Sequence, residues 1–217
     1  MNKLFFTVLI SFLWHCSYGQ YVTDIDGNRY PAIRIKNQVW MGENLKTTRF
    51  NDGKPIPLVV TDKAWKTLEK PAYCWLYNDT ANKEKYGALY NWYAVNTKKL
   101  CPQGWHVPSL QDWEDLSLAA GGERIAGAKL KEKGYEHWKN NMLISTDEYG
   151  FTALPSGKRS MEGNFPSDID EYAVWWSATE VSAILSYNTG VYFGSNALFN
   201  GNDNKKNGFS VRCVKDK

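Results

Sequence analysis

The stretch "CPQGWHVPSLQDWEDL", residues 101–116, places Cys101 five positions before His106. A cysteine thiolate beside an imidazole base is an arrangement for nucleophilic catalysis, provided that a third group orients the base. The same residues also fit a structural arrangement, in which Cys101 forms a disulfide and His106 packs between its neighbours with a hydrogen bond to the backbone. The redox compartment of the chain distinguishes these two interpretations.

The N-terminal residues predict an exported protein. Positions 4–14 form an unbroken run of apolar and small hydroxyl residues, which is too short to span a bilayer because a span takes about 20 residues. Small Ser17 and Gly19 occupy the −3 and −1 positions of a cut before Gln20. This pattern is typical of a secretory signal peptide over residues 1–19.

We therefore expect residues 20–217 to form a single exported domain without a transmembrane segment, located in the periplasm, at the cell surface or in the medium. An oxidising compartment favours cysteine pairing. A bridge from Cys101 to Cys213 would close a loop of more than 100 residues, which the chain-entropy model values at about 4–5 kcal/mol. We therefore expect a disulfide between Cys101 and Cys213. Cys74 is the main rival partner for either cysteine, and otherwise it is expected to be a small buried residue. No catalytic residue is expected.

The pattern of elements predicts an α+β fold. Residues 21–45 read as N-terminal β-hairpins around an Asp-Gly turn, and residues 151–217 read as an antiparallel β region. Two or three short helices are expected in the middle of the chain. Their predicted positions are residues 86–95, residues 110–120 after an N-cap at Ser109 with Asp112 as capping-box partner, and residues 124–133.

Composition and motif spacing argue against several function classes. The formal net charge of +3 is spread over mixed-sign residues without a Lys/Arg block, so no nucleic-acid partner is expected. Only two histidines follow the predicted signal peptide, which excludes a three-histidine zinc site, and no metal or cofactor is expected apart from possible calcium. Asp24, Asp26 and Asn28 have the spacing of a calcium loop, but Arg29 replaces its central glycine, so a β-turn explains them better.

Residues 163–180 and the strand after them have the best chemistry for a ligand. Aromatic rings stack on sugars and carboxylates accept sugar hydroxyls or bind calcium, although burial and simple solvation explain the same residues. The acidic candidates for ligand or weak calcium binding are Asp168, Asp170 and Glu171. The aromatic candidates are Trp175, Trp176, Tyr187 and Tyr192. Consecutive strand residues face opposite sides, so at most one of the two adjacent tryptophans is expected to face a ligand, while the other joins the core.

Seven stretches of the chain, in this order, resemble the Fibrobacter succinogenes major paralogous domain, and together they cover nearly all of residues 21–216. They read "VTDIDGNRY", "IKNQVWMGENLKTTRFNDGKPIP", "AYCWLYND", "YGALYNWYAVNTKKLCPQGWHVPS", "GFTALPSGKR", "WWSATE" and "GFSVRCVKD". The family occurs in exported bacterial proteins and is similar in fold to C-type-lectin-like domains and to the sulfatase-modifying, formylglycine-generating group. The resemblance implies a mixed fold with a long-range disulfide near its ends.

These observations predict an exported, non-enzymatic binding or surface-interaction module for a glycan or a protein. One alternative is an oxidoreductase of the sulfatase-modifying type, which would need Cys101 and Cys213 as a reduced, copper-binding pair. A second alternative is a structural protein of the cell envelope. Because a fold does not carry an activity with it, the resemblance alone does not choose among the three.

Overall fold

The computed structural model describes residues 20–140, 143–167 and 169–217. The predicted signal peptide over residues 1–19 lies outside the described residues, and so does the ligand candidate Asp168. None of the helices in the described ranges combines the length and apolar character that crossing a membrane requires.

A five-stranded sheet joins the N-terminal strands to the end of the chain. Its first three strands form the predicted hairpins, and a strand at the C-terminus pairs with the third. The strands are β1 (Tyr21–Thr23), β2 (Arg29–Ile35), β3 (Gln38–Met41), β6 (Trp105–His106) and β10 (Val214–Lys215). Their spatial order is β1-β2-β3-β10-β6, and every neighbouring pair is antiparallel. The sheet therefore places the segment after Cys101 beside the C-terminus.

The Asp-Gly turn between β1 and β2 is held by the carboxylate of Asp24. Its Oδ1 accepts hydrogen bonds from the backbone N–H groups of Asp26 and Asn28, both at 2.9 Å, and its Oδ2 accepts the Tyr30 hydroxyl at 2.6 Å. Gly27 has a φ of 84°, the left-handed conformation that glycine adopts without strain. These residues form the expected turn, with the Asp24 oxygens already bonded to protein donors.

The middle of the chain is helical, with one correction to the expected positions. The helices are α1 (Asp62–Lys66), α2 (Lys83–Tyr86), α3 (Trp92–Val95), α4 (Leu110–Ala119) and α5 (Glu123–Leu130), with short 3-10 helices at Leu76–Asn78, Thr80–Asn82 and Ile169–Glu171. The capping box of Ser109 and Asp112 at the start of α4 is present as predicted.

The prediction of a single helix over residues 86–95 is wrong. The chain instead forms β5 (Ala88–Tyr90), which pairs with β4 (Tyr73–Trp75), and only then begins α3. Gly87, with a φ of 73°, separates α2 from the strand. Asn91 then accepts a side-chain hydrogen bond from the N–H of Ala94 and caps α3. The helical spacing of apolar residues here reflects two short elements that are buried together.

An antiparallel sheet of three strands forms the C-terminal region, as expected. It comprises β7 (Tyr172–Glu180), β8 (Leu185–Tyr192) and β9 (Leu198–Asn204), in that spatial order. The strand β9 extends into the Asn- and Gly-rich stretch that reads as a loop in the sequence. It does so because Asn200 and its successors continue the register with β8 as far as Asn204. The overall fold is therefore α+β, with N-terminal strands, short central helices and C-terminal antiparallel strands.

Both faces of β7 are covered, so the expectation that either Trp175 or Trp176 faces a ligand is wrong. Each side chain is 0 % exposed. Trp175 packs beside Trp113 and Phe151, with ring centroids 5.8 and 5.9 Å away. On the other face, Trp176 packs against Phe209 with centroids 4.4 Å apart. Two hydrophobic clusters thus meet at this strand, and each tryptophan belongs to one of them.

The disulfide prediction is confirmed. Cys101 and Cys213 form a disulfide across a sequence separation of 112 residues, and Cys74 is free and buried. Burial raises the pKa of the Cys74 thiol to about 12, against a lowering influence of Arg159, so this thiol stays protonated and inert at neutral pH. The bridge fixes the start of the α4 region to the last strand.

We predict that replacing both bridge cysteines, as Cys101→Ser with Cys213→Ser, lowers the free energy of unfolding by about 4–5 kcal/mol, because the unfolded chain regains loop entropy. Denaturant unfolding of the double variant against the oxidised parent measures this. Cys74→Ala is the control for loss of a buried sulfur without loss of a bridge. A double variant as stable as the parent would contradict the prediction.

We predict that Trp175→Ala and Trp176→Ala each destabilise the fold by roughly 3–5 kcal/mol, because each leaves a cavity in a separate cluster. Thermal or urea unfolding measures both variants. Leu118→Ala, at a side chain that is 73 % exposed, is the matched control and changes stability by less than about 0.5 kcal/mol. A tryptophan variant that behaves like this control would show that its face of β7 is not core.

Candidate functional site

His106 lies between two carboxylates. The sequence predicts a hydrogen bond from this histidine to the backbone instead. Its Nδ1 is 2.6 Å from Asp216 Oδ1 and its Nε2 is 3.3 Å from Asp112 Oδ2. The same Asp112 oxygen accepts hydrogen bonds from the N–H and hydroxyl of Ser109 at 2.9 and 2.6 Å. Because Cys101 is in a disulfide, no thiolate is available beside His106. The histidine instead connects β6, the start of α4 and the C-terminal residues.

The described acidic and tyrosine candidates do not form one binding surface. Glu171 forms an ion pair with Lys139 Nζ at 2.5 Å, and Asp170 is exposed. Tyr192 stacks on Tyr172 with ring centroids 5.1 Å apart. Tyr187 lies five residues earlier on β8 and therefore on the opposite face of the strand. A calcium or sugar site built from all these residues has no support in their positions.

A cleft of about 300 Å³ lies elsewhere, between the end of β3, α2 and the segment around Thr152. Arg212 is in its lining, and the Arg212 side chain is nearly completely buried. The guanidinium lies over the Phe151 ring, with its carbon 4.1 Å from the ring centroid. A cationic group backed by a buried aromatic ring therefore lies in the lining of the cleft.

The guanidinium of Arg212 is only partly satisfied by protein groups. Its Nε and Nη2 donate to Asn44 Oδ1 at 3.2 and 2.9 Å, and its Nη1 donates to the carbonyl of Phe151. These bonds use three of five N–H donors. In the described part of the chain, no carboxylate lies within ion-pair distance of it. Burial lowers the pKa of Arg212 to about 9, opposed by the charges of Asp147 and Glu43.

Asn44 fixes the orientation of this arginine. Besides Arg212, its Oδ1 accepts the indole N–H of Trp175 at 2.8 Å. Its Nδ2 donates to the Tyr86 carbonyl at 3.0 Å and to the Ser210 hydroxyl at 3.3 Å. The amide is thus fully used by the protein. Asn44 therefore orients Arg212, whose two remaining N–H donors have no partner among the described residues.

The walls of the cleft carry both charges and apolar surface. Glu43 and Glu84 lie on the rim, and both contact Lys46, at 3.4 and 2.8 Å. Lys85 is an exposed cation in the lining. The apolar part of the lining is formed by Pro31 and Leu154. This arrangement suits a small ligand with one anionic group and several hydroxyls.

Sequence reasoning missed the two residues at the base of this cleft. The signal for Arg212 was a charged residue inside the apolar strand-like stretch "FSVRCV". A buried arginine needs partners, and none is evident among its neighbours in sequence. Asn44 gives no comparable signal, because its contact with Arg212 spans 168 residues.

The described residues also contain a group of three potential metal ligands that sequence reasoning missed. It consists of Glu132, Glu136 and His137, whose ligand atoms lie within 4.8 Å of one another. The group is separate from the predicted calcium candidates Asp170 and Glu171. The close spacing in "EKGYEH" was the available signal.

Comparison with known proteins gives one match. Residues 33–215 match the model of a family described as the Fibrobacter succinogenes major domain. No curated protein and no solved structure matches the chain. The similarity to C-type-lectin-like and sulfatase-modifying folds therefore stays an expectation from the sequence.

The His106 cluster predicts a pH dependence of stability. Hydrogen bonding to Asp112 and then to Asp216 raises the pKa of His106, against the opposing effect of burial. Burial alone would raise the pKa of Asp112, but hydrogen bonds from His106 and Ser109 outweigh it and hold that pKa well below its usual range. The contribution of His106 to the free energy of unfolding is fully present below about pH 6.5 and is lost as pH rises through its raised pKa. The aspartate contribution is present above about pH 3.9 and is lost as pH falls through the lowered pKa.

We predict that His106→Gln removes part of the stability difference between pH 5 and pH 8. The change is about 1 kcal/mol or less, because the half-exposed ring is screened by solvent. Urea unfolding of parent and variant at both pH values measures it, with Asp216→Asn expected to give a smaller change in the same direction. Parallel pH profiles for parent and His106→Gln would contradict the assignment.

Proposed function

The chain belongs to the Fibrobacter succinogenes major domain family, and we propose that it is an exported, non-enzymatic module that binds an acidic glycan in the cleft over Arg212. The sequence pattern of residues 1–19 supports export. The ligand class follows from the chemistry of the cleft and not from the family, because family membership alone assigns no ligand.

The observation that carries the proposal is a buried guanidinium without an acidic partner at the edge of an open cleft. Burying a cation costs free energy unless a counter-charge and hydrogen bonds compensate it. Arg212 has hydrogen bonds but no carboxylate within ion-pair distance among the described residues, and two of its N–H donors are uncommitted. A ligand carboxylate supplies both the charge and two acceptor oxygens, in the bidentate geometry that arginine favours.

A sugar acid fits the rest of the cleft better than a simple organic anion does. The volume of about 300 Å³ is at the lower end of small-molecule sites and suits one sugar unit. The rim carboxylates of Glu43 and Glu84 each accept from Lys46 and keep further acceptor positions that sugar hydroxyls can use. Lys85 can donate to ring or hydroxyl oxygens, while Pro31 and Leu154 accommodate the apolar face of a sugar ring.

The oxidoreductase alternative has no specific observation in its favour. It requires Cys101 and Cys213 as a reduced pair able to bind copper, whereas the two sulfurs are joined in a disulfide. A structural role in the envelope would not require an uncompensated cation facing a cleft. A protein ligand remains the relevant competitor, because the C-terminal carboxylate of a peptide presents the same anionic group to Arg212.

We predict that oligosaccharides of glucuronic or galacturonic acid bind at least about tenfold more tightly than the matched neutral oligosaccharides, a difference of 1.4 kcal/mol. Isothermal titration calorimetry measures affinity, and amide NMR shifts locate binding at Gly42, Gly150 and Thr152. Lys85→Glu, which places a repulsive charge in the lining, weakens uronate binding severalfold. Lys63→Glu, the same charge change at an exposed site on α1, leaves it unchanged.

Two results would contradict this proposal. Equal affinity for acidic and neutral sugars would show that Arg212 does not recognise the ligand, and equal effects of Lys85→Glu and Lys63→Glu would show that binding occurs outside the cleft. Short peptides with free and amidated C-termini are the comparison for a protein ligand. Tighter binding of the free peptide than of any uronate would assign the cleft to a protein carboxylate instead.

A further inference from the structure

We infer that Glu132, Glu136 and His137 form a binding site for a divalent transition metal of the Zn²⁺ type. The three follow α5 within six residues of chain. His137 Nδ1 is 2.8 Å from Glu132 Oε1, and His137 Nε2 is 4.0 Å from Glu136 Oε1. One ligand atom from each residue lies within 4.8 Å of the other two. This inference does not rest on the glycan proposal, which concerns a different set of side chains.

A second observation, an unpaired carboxylate oxygen, favours a cation at this position. The Oε2 atom of Glu132 is buried and has no hydrogen-bond partner within the described ranges. A buried carboxylate oxygen without a donor is costly, because it has lost water and gained nothing in return. The neighbouring Glu136 adds a second carboxylate instead of a donor. A bound metal ion would satisfy the unpaired oxygen and offset the two negative charges together.

The backbone holds two of the three ligands in place. The N–H of Glu132 donates to the Ala153 carbonyl at 3.2 Å, directly after the end of α5. The indole N–H of Trp138, a core residue, donates to the same carbonyl at 2.9 Å. The N–H of Lys139 donates to the Asp170 carbonyl at 3.0 Å. Both ends of the segment are therefore fixed, which places the mostly buried Glu132 and His137 side by side before any metal binds.

The third ligand is free to complete the site. The Glu136 side chain is 81 % exposed, so it rotates at little cost. With metal–ligand bonds near 2.0–2.1 Å in a tetrahedral site, ligand atoms lie about 3.3 Å apart. The 2.8 Å distance is measured from His137 Nδ1 and the 4.0 Å distance from Nε2, and one metal ion takes only one of these two nitrogens. Glu136 must therefore rotate toward the ligating nitrogen, starting from a set in which one ligand atom of each residue already lies within 4.8 Å of the other two, with water as the fourth ligand.

The nitrogen and oxygen atoms that these side chains offer indicate which class of metal ion the site binds. Imidazole favours zinc and neighbouring transition metals, whereas calcium takes six to eight oxygen ligands and magnesium keeps most of its water. One imidazole nitrogen with two carboxylate oxygens provides three protein ligands, the number found in zinc sites that keep one open position. The edge-on ring of Tyr86, with its centroid 6.4 Å from that of His137, covers one side of the site.

The test uses untagged, full-chain protein stripped of metal by a chelator and then titrated with Zn²⁺ alone. We expect one zinc ion per chain by elemental analysis and a Kd in the micromolar range or tighter by calorimetry. Glu136→Gln keeps the shape of an exposed side chain and so tests ligation without unfolding the chain, and His137→Ala removes the imidazole. Each is expected to weaken Zn²⁺ binding by about tenfold or more.

His106→Gln is the matched control, because His106 also lies between two carboxylates but belongs to no three-ligand group among the described residues. Full Zn²⁺ affinity in this control, with loss in Glu136→Gln, supports the site. Three results would overturn it: no saturable binding, unchanged affinity in Glu136→Gln, or a parent chain that binds Ca²⁺ and not Zn²⁺. The uronate titration tests other residues with another ligand. A negative result for one proposal therefore does not contradict the other.

Discussion

The arrangement of the molecule depends on one buried amide oxygen. Oδ1 of Asn44 accepts hydrogen bonds from Arg212 and from Trp175, which lie 168 and 131 residues away in the chain. These contacts join the segment after β3, the segment before β10 and strand β7, which carries Trp175. Loss of this acceptor would leave two N–H donors of Arg212 and the buried indole N–H of Trp175 unpaired, and buried donors without partners are costly. The position of the candidate cleft follows from the same contact.

Buried cations stabilise several other loops of this molecule, and they do so through backbone carbonyls. Arg159 donates to the carbonyls of Gly163, Val59 and Val60, and Lys131 donates to those of Tyr192 and Ser195. Short helices and long connections leave many carbonyls outside regular ladders, and each needs a donor. Arg159 also contacts the carboxylate of Asp62 at 3.3 Å, whereas Arg212 has no carboxylate within ion-pair distance among the described residues and lies in the lining of a cleft. That difference is what separates a candidate binding group from a structural one.

Features that depend on near neighbours or on a few strong constraints could be predicted from the amino-acid sequence. The capping box at Ser109 and the turn at Asp24 each involve side chains within six residues of one another. Both can therefore be predicted from the sequence without knowledge of the fold. The disulfide could be predicted because the expected export favours pairing and only three cysteines follow the predicted signal peptide, of which Cys74 is buried and free. Alternation and helical spacing likewise gave the α+β class.

The tertiary structure alone decided which residues are core and which groups remain for ligands. The aromatic candidates Trp175 and Trp176 looked half-exposed in sequence, yet both faces of β7 are covered by segments distant in the chain. The partly unsatisfied guanidinium of Arg212 appears only once its distant partner Asn44 is in place. Periodicity reports local geometry and average burial, whereas a binding site depends on which donors and acceptors packing leaves unused, and that follows only from contacts across the whole fold.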